Sequence, residues 1–239
     1  MSAETTSQSP QDLLVMDLSM GAEDWTPTPH GQCLAEVLAE NNLVAGKTVL
    51  ELGAGTGNHT ILLARQGAKH IVATEITQEL VETTEVNVKR NVPEASMEYR
   101  VADWLATDGS FDVVVTNPPF CKSGKQNRRY YIDSLILDAH KRLNANGTLV
   151  FVQSSMADLA KTLERLNENG YEARVIGERR GPFRDYYFED EQFMAESTSV
   201  EGGFEVVEGV HYETLSVIAG TLRDYTPPAG AHIPDELRA

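Results

Sequence analysis

Cysteine is almost absent from the 239 residues: Cys33 and Cys121 are the only two. That is too few for a disulfide framework, and their spacing suits no metal centre, so no metal is expected in the site. No apolar run approaches the ~20 residues of a membrane-spanning helix. The polar start, Met1 to Pro10, has neither the basic nor the apolar region of a secretory leader, so a cytoplasmic protein without membrane contact is expected. Basic residues are scarce too. Twenty Lys and Arg stand against 36 Asp and Glu, for a formal net charge of −16. An acidic surface repels phosphate backbones and disfavours nucleic acid as a partner, although a local basic patch can outweigh the global sign.

The length suits one α/β domain, and 41% hydrophobic residues is ordinary for a globular protein. Residues 1–10 are Ser- and Thr-rich and read as disordered. Leu13 to Met16 reads as a short strand. Trp25 to Gly31 contains two prolines and does not read as regular helix. Cys33, Leu34, Val37 and Leu38 recur at helical spacing and mark a helix to about Glu40. Strand and helix patterns then alternate, with strands at 47–52, 69–75, 97–102, 111–116 and 147–153 and helices at 58–66, 78–90, 129–143 and 156–168. Alternation of this kind predicts an α/β, Rossmann-like, doubly wound and mostly parallel sheet with helices on both faces. Further strands are read at 171–176 and 212–221. The domain spans 11–223, with an acidic and aromatic insertion at about 183–209 that covers the sheet end or the site. Residues 224–239, with three prolines, form an extended tail.

Glu51-Leu-Gly53-Ala-Gly55-Thr-Gly57 follows a strand and opens a helix. Glycine permits a tight turn and close approach of a ligand to backbone. The spacing is G-x-G-x-G rather than the G-x-G-x-x-G of dinucleotide enzymes. It suits S-adenosylmethionine, a ligand without phosphate that carries a zwitterionic amino acid and a sulfonium. Glu51 suits the ammonium of that ligand, or orders the loop that holds it. Glu75 ends the next strand, where an acid can accept both ribose hydroxyls. Asp103 and Trp104 follow the third strand. Asp103 can accept from the adenine amino group, and Trp104 can pack on the ring.

Thr116-Asn117-Pro118-Pro119-Phe120 places a side-chain amide at the carboxyl end of a central strand, where open α/β sheets bind ligands. Amide and heteroaromatic nitrogens are poor nucleophiles because their lone pair is delocalised. The Asn117 side-chain oxygen and the Pro118 carbonyl can hold the two N–H bonds and turn the lone pair towards a methyl donor. Phe120 can stack on a flat acceptor. No strong base is required.

Together these motifs resemble the class I S-adenosylmethionine-dependent methyltransferases over roughly residues 25–222. Within that class Asn-Pro-Pro-Phe/Tyr resembles enzymes that methylate adenine-amino or glutamine-amide nitrogens. The layout is most similar to the short HemK/PrmC-type N-methyltransferases. The resemblance implies a seven-stranded sheet whose last strand is antiparallel, cofactor contacts at Glu51, Gly53, Gly55, Glu75 and Asp103, and substrate contacts at Asn117 and Pro118. It departs from the glutamine enzymes in carrying Phe120 where tyrosine is usual and in the 183–209 insertion. The first expectation is therefore transfer of a methyl group to a planar nitrogen of a small metabolite. The alternatives are a protein glutamine loop and, behind it, an RNA or DNA base.

Basic residues gather in two stretches, Lys122, Lys125, Arg128 and Arg129, then Arg179, Arg180 and Arg184. They read either as a rim for an anionic group on the substrate, with Arg128, Arg129 or Arg184 as its anchor, or as solvated charges and partners of the acidic insertion. His30 and His211 have no partner in sequence and read as core or surface residues. Tyr130, Tyr131, Tyr186 and Tyr187 read mainly as aromatic packing.

Overall fold

Burying the short Val-, Ile- and Leu-rich runs on both faces gives a three-layer sandwich in the computed structural model, which describes residues 9–18, 28–119 and 129–223. In chain order the elements are α1 (Pro10–Leu13), α2 (Pro29–Glu40), β1 (Thr48–Leu52), α3 (Asn58–Arg65), β2 (His70–Glu75), α4 (Gln78–Asn91), β3 (Met97–Val101) and β4 (Phe111–Thr116). They continue with α5 (Tyr130–Asp138), β5 (Leu143–Ser154), α6 (Leu159–Glu168), β6 (Tyr171–Pro182), α7 (Glu191–Thr198), β7 (Glu205–Val207) and β8 (Val210–Leu222). The sheet order is β3-β2-β1-β4-β5-β8-β6, and β7 pairs with β8. Strands β1 to β5 pair in parallel, whereas β8 runs antiparallel to both β5 and β6.

Alternation along the strands decides which core each residue joins. Val49, Val113, Val115, Val150, Val152 and Val217 pack with Leu34, Val37 and Leu38 of α2 and Leu62 of α3. Leu50, Val114, Phe151 and Ile218 face the other way, against Ile132, Leu135 and Ile136 of α5 and Leu166 of α6. From β1 the chain builds outwards through β2 and β3, then returns to β4 on the other side of β1. The order reverses between β1 and β4, and a crevice at their carboxyl ends is the expected ligand site of such a sheet. The glycine turn follows β1 and Asn117 follows β4, so both motifs arrive at that crevice.

Two local expectations are corrected. Residues 13–16 are not a strand. Ser9 caps α1 instead: its side chain accepts from Asp12 N, the Asp12 carboxylate accepts from Ser9 N, and Pro10 occupies the first turn. The proline segment enters helix earlier than its composition indicated, because Pro29 sits at the first helical position, where it loses no donor, and Thr28 accepts from Gly31 N at 3.2 Å. Among the described residues the seven expected strands form the main path of the sheet, and the three-residue β7 adds an eighth. The readings made for residues 1–8, 19–27, 120–128 and 224–239 lie outside the described residues.

The segment between β6 and β8 has its own small core, in which Phe183, Tyr187 and Phe193 pack with Met156. Ser155 ties this segment to the sheet by donating to Gly203 O at 2.7 Å and accepting from Thr214 N at 3.0 Å.

Helix α2 lies tightly on a register shift in β6. A Cβ placed on Gly177 would fall 2.5 Å from Val37 Cγ2 and 2.7 Å from its Cγ1. Gly177→Ala is therefore expected to destabilise the fold by about 1–3 kcal/mol through overpacking. Urea unfolding checks this, and Val37→Ala in the same chain should cost less than the two single changes added together. Strict additivity would show that the contact is not tight.

Candidate active site

The glycine turn exposes backbone rather than packing it. Gly53, Gly55 and Gly57 adopt left-handed φ values of 71°, 58° and 86°. A Cβ on Gly53 or Gly55 would meet nothing within 4 Å. The turn is nevertheless held from several sides. Gly53 N and Ala54 N donate to Thr74 O at 3.0 and 3.1 Å. Gly55 N donates to Glu75 Oε1 at 2.6 Å, and Glu75 Oε2 accepts from Ile76 N at 3.1 Å. From α4, Thr84 Oγ1 donates to Gly55 O at 2.7 Å and Asn87 Nδ2 to Thr56 O at 2.9 Å. Each Glu75 oxygen keeps a lone pair for a further donor.

Glu51 lies under the turn, 1% exposed. Its Oε2 accepts from Thr60 Oγ1 at 2.5 Å, and its Oε1 is 3.6 Å from His59 Nδ1. The other ring nitrogen of His59 lies 2.9 Å from Gly31 O in the first turn of α2. Burial disfavours a charge on His59, but the Glu51 carboxylate and the Gly31 carbonyl outweigh it and hold the imidazole pKa above its ordinary value. Asn117 reaches the same turn: a Cβ on Gly31 would lie 3.5 Å from Asn117 Nδ2, 3.6 Å from Thr28 Oγ1 and 3.8 Å from His59 Cε1. Pro118 is buried behind Asn117 and Pro119 is exposed. Phe120 lies outside the described residues.

Asp103 is exposed after β3, and Trp104 holds a left-handed φ of 50°, a strained value for a bulky residue. The indole Nε1 donates to Ser134 Oγ at 3.1 Å, and the ring meets Tyr131 edge-on at 5.2 Å. Asp103, Trp104, Tyr130 and Tyr131 line one side of a cavity of about 500 Å³, with Lys141 and Arg142 on another.

A second polar cluster sits beside Asn117, over α2. His30 Nδ1 and Arg184 Nη2 are 2.6 Å apart, and Arg184 Nη1 donates to Tyr186 OH at 2.7 Å. Tyr187 OH donates to Glu213 Oε1 at 3.3 Å, and burial raises the Glu213 pKa against the lowering effects of Ser154, Arg184 and Tyr187. On the other face, Gln153 of β5 is 2% exposed. Glu51 Oε1, both Gln153 amide atoms, Arg184 Nε and Glu213 Oε2 are buried without a hydrogen-bond partner among the described residues. Buried polar atoms normally find partners, and these five gather near the carboxyl edge of β1, β5 and β6 and the antiparallel start of β8. Open glycine backbone, spare carboxylate lone pairs and this polar edge fit a polar, phosphate-free ligand such as S-adenosylmethionine together with an acceptor group.

Three of the four described basic residues, Arg129, Arg179 and Arg180, do not form a substrate rim. Arg129 is buried. It pairs with Asp133 Oδ1 at 2.9 Å and donates to Asp158 O, Thr162 Oγ1 and Ala157 O, which holds α5 to the start of α6. Arg179 pairs with Glu36 and Glu40 on the outer side of α2, and Arg180 with Glu205 and the Tyr212 ring. Arg184 alone of the described members stands beside the site, while Lys122, Lys125 and Arg128 lie outside the described residues. For Arg129, Arg179 and Arg180 the composition misled because acids that neutralise a basic run can come from any distance in sequence. Gly31, His59, Thr60, Thr84, Asn87, Gln153 and Glu213 were not singled out. Only Thr84 and Asn87, three apart on one helix face, left a local trace of their role.

Burial, and secondarily Arg184, lowers the His30 pKa from 6.5 to about 3. His30 is thus neutral in the fold and takes up a proton on unfolding at acid pH. The stability this confers is complete above pH 6.5 and is lost as pH falls towards 3, at about 1.4 kcal/mol per pH unit. His59, with its raised pKa, acts in the opposite sense and contributes most below pH 6.5. Urea unfolding of the wild type and His30→Gln at pH 7 and pH 5 should show a shallower acid loss for the variant, by about 2 kcal/mol. Equal losses would mean that His30 does not titrate in this way.

The model of the methyltransferase small domain family matches residues 29–178. A candidate protein N5-glutamine methyltransferase of Methanocaldococcus jannaschii is 28% identical over 184 residues, 70% of this chain and 91% of that protein. The ribosomal protein L11 methyltransferase of Thermotoga petrophila is 32% identical over 108 residues, and there the match covers 45% of this chain and only 40% of the relative. A crystal structure of a candidate RNA methyltransferase from Pyrococcus horikoshii superposes with a TM-score of 0.60 at 17% identity, over 90% of this chain and 95% of that one. The 16S rRNA N2 methyltransferase of T. thermophilus, solved with AdoMet and guanosine, superposes with a TM-score of 0.50 at 23% identity, over 84% of this chain and 45% of that one. At such identities the solved structures speak for the fold alone. With more than half its length matched by the family model, the chain belongs to the methyltransferase small domain family, within the class I enzymes that use S-adenosylmethionine.

Proposed function

We propose that the chain transfers the methyl group of S-adenosylmethionine to a planar amide nitrogen, and that the acceptor is the side-chain amide of a protein glutamine. The observation that carries the chemistry is Asn117 at the end of β4, its amide nitrogen directed at the first turn of α2 and buried Pro118 behind it. With Nδ2 towards α2, the side-chain oxygen is left for the acceptor. An oxygen fixed there, with the Pro118 carbonyl, holds the acceptor N–H bonds and aligns a delocalised lone pair for in-line attack. S-adenosylmethionine, held there, would supply an electrophilic methyl group with its sulfur as leaving group, and the methylated nitrogen would give up its proton to solvent.

The remaining residues bind. Glu75 accepts from the ribose hydroxyls with its spare lone pairs, Asp103 accepts from the adenine amino group, and Trp104 walls the base. The Gly53 to Gly57 backbone takes the amino-acid end. Glu51, buried and engaged with Thr60 and His59, orders the turn from below rather than meeting the ammonium. The Gln153 amide, with donor and acceptor both unpartnered, suits an acceptor that is itself an amide. The relative matched over 91% of its length is named for glutamine, which supports a protein amide above the metabolite expected first from Phe120 and the insertion.

The test is methyl transfer from S-adenosylmethionine to Ac-Gly-Gln-Gly-NH2 and to glutamine-bearing proteins, read by mass spectrometry. N5-methylglutamine is the expected product. Turnover of a planar metabolite with no glutamine product would remove the protein acceptor and keep the chemistry.

Asn117→Ala should keep cofactor affinity and lose about 10²–10³ in turnover, by analogy with the loss of one oriented oxyanion donor. Normal turnover in this variant would sink the planar-nitrogen mechanism. Glu75→Ala should weaken S-adenosylhomocysteine binding by about 1.5–3 kcal/mol per lost charged hydrogen bond, measured by calorimetry. Treatment with EDTA should leave activity unchanged; loss that zinc or magnesium restores would contradict a metal-free reaction.

A further inference from the structure

Asn117 is useful only if its oxygen, not its nitrogen, faces the acceptor. The two ends of a side-chain amide differ little in size, so packing alone selects weakly between them. In this structure Nδ2 faces the first turn of α2, in the neighbourhood of Gly31 and Thr28 Oγ1. A shift of that turn would change what the Asn117 amide packs against. Beside the Arg184–His30 contact, the buried side chain of His59 at the start of α3 reaches that turn: its Nε2 lies 2.9 Å from Gly31 O and its Nδ1 lies 3.6 Å from Glu51 Oε1.

We propose that His59 is a positioning residue: it ties the Glu51 carboxylate at the end of β1 to the first turn of α2, and so holds Gly31 against the Asn117 amide. To donate to the Gly31 carbonyl, Nε2 must carry a proton. A ring nitrogen 3.6 Å from a buried carboxylate is also favoured in its protonated form. Both conditions are met by an imidazolium, which in turn supplies the counter-charge that Glu51 needs in a buried place. Glu51 is then compensated from inside the protein whether or not the cofactor is bound. The cofactor's ammonium is then left to the glycine-turn backbone. Gly31 keeps the space open: a Cβ there would lie 3.5 Å from Asn117 Nδ2 and 3.8 Å from His59 Cε1.

The catalytic consequence rests on the methyl-transfer reading, but the contact itself does not, so the experiment separates the two. In 15N-labelled wild-type protein at pH 7, both His59 ring nitrogens should be protonated. A neutral ring with Nε2 bare would overturn the proposal, since it cannot donate to Gly31. In His59→Leu, hydrogen exchange in the first turn of α2 should speed up by about tenfold or more. The Asn117 side-chain amide signals, assigned by difference with Asn117→Ala, should shift. His59→Gln, which keeps an amide donor for Gly31, should return both towards wild type. On Ac-Gly-Gln-Gly-NH2, His59→Leu should lower kcat by about tenfold to a hundredfold. A peptide that wild type does not methylate counts against the glutamine acceptor only. A folded His59→Leu with unmoved Asn117 signals and unmoved α2 exchange would make His59 an ordinary core residue and end the idea. If His59→Leu does not fold, His59→Gln and the wild-type ring spectrum decide the matter on the same criteria.

Discussion

A carboxylate buried in the middle of a sheet has to be compensated, and the way Glu51 is compensated organises this molecule. The strand that carries it is central, with β2 on one side and β4 on the other, so it cannot turn outwards to water. Thr60 and His59, both from the first turn of α3, meet its two oxygens. That requirement fixes where α3 begins, which fixes the glycine turn that leads into it. The turn in turn presents its open backbone at the point where the strand order reverses. Thr74 at its base, Glu75 above it and the α4 side chains Thr84 and Asn87 complete a turn held on every side except the one a ligand would use.

The fold was largely legible in the order of residues because its signals are local. Apolar runs such as Val113 to Val115 and helical stripes such as Ile132, Leu135 and Ile136 are read from neighbours a few positions apart, and burial in two cores follows from their alternation. The glycine turn and Asn117 were legible for the same reason: each motif is contiguous, and each follows a strand. Capping was misread where it depended on single side chains. Ser9 with Asp12 caps a short helix that ends at Leu13, the first residue of an apolar tetrad expected as a strand, and Thr28 with Pro29 began a helix where proline alone argued against one.

What escaped the sequence was pairing over distance. His59 meets Gly31 across 28 residues, and Arg184 meets His30 across 154. Nothing in a local window selects those partners from the other acids, carbonyls and rings available. The basic stretches show the same limit in reverse. Arg129 looks identical to its neighbours in sequence, yet it is buried and spends its donors on the α5–α6 junction, while Arg179 is drawn to acids on α2. A run of like charges is a statement about composition; whether it faces a ligand depends on which opposite charges the fold brings to it.

The antiparallel ladder between β6 and β8 has a consequence for how this enzyme can diversify. Pairing continues out to Pro182 with Tyr212, and Phe183 N donates to His211 O at 2.9 Å, so the two ends of the intervening segment are clamped side by side. A loop whose anchors are fixed in this way can be exchanged or lengthened without shifting the register of β5. It behaves as a cassette plugged into a standard socket. Because Arg184 and Tyr186 ride on it while Glu213 and His30 belong to the socket, each new cassette would meet the same buried acid and imidazole with a different set of side chains. Exchange between residues 185 and 209 would change the surroundings of that acid and imidazole while the sheet beneath keeps its register.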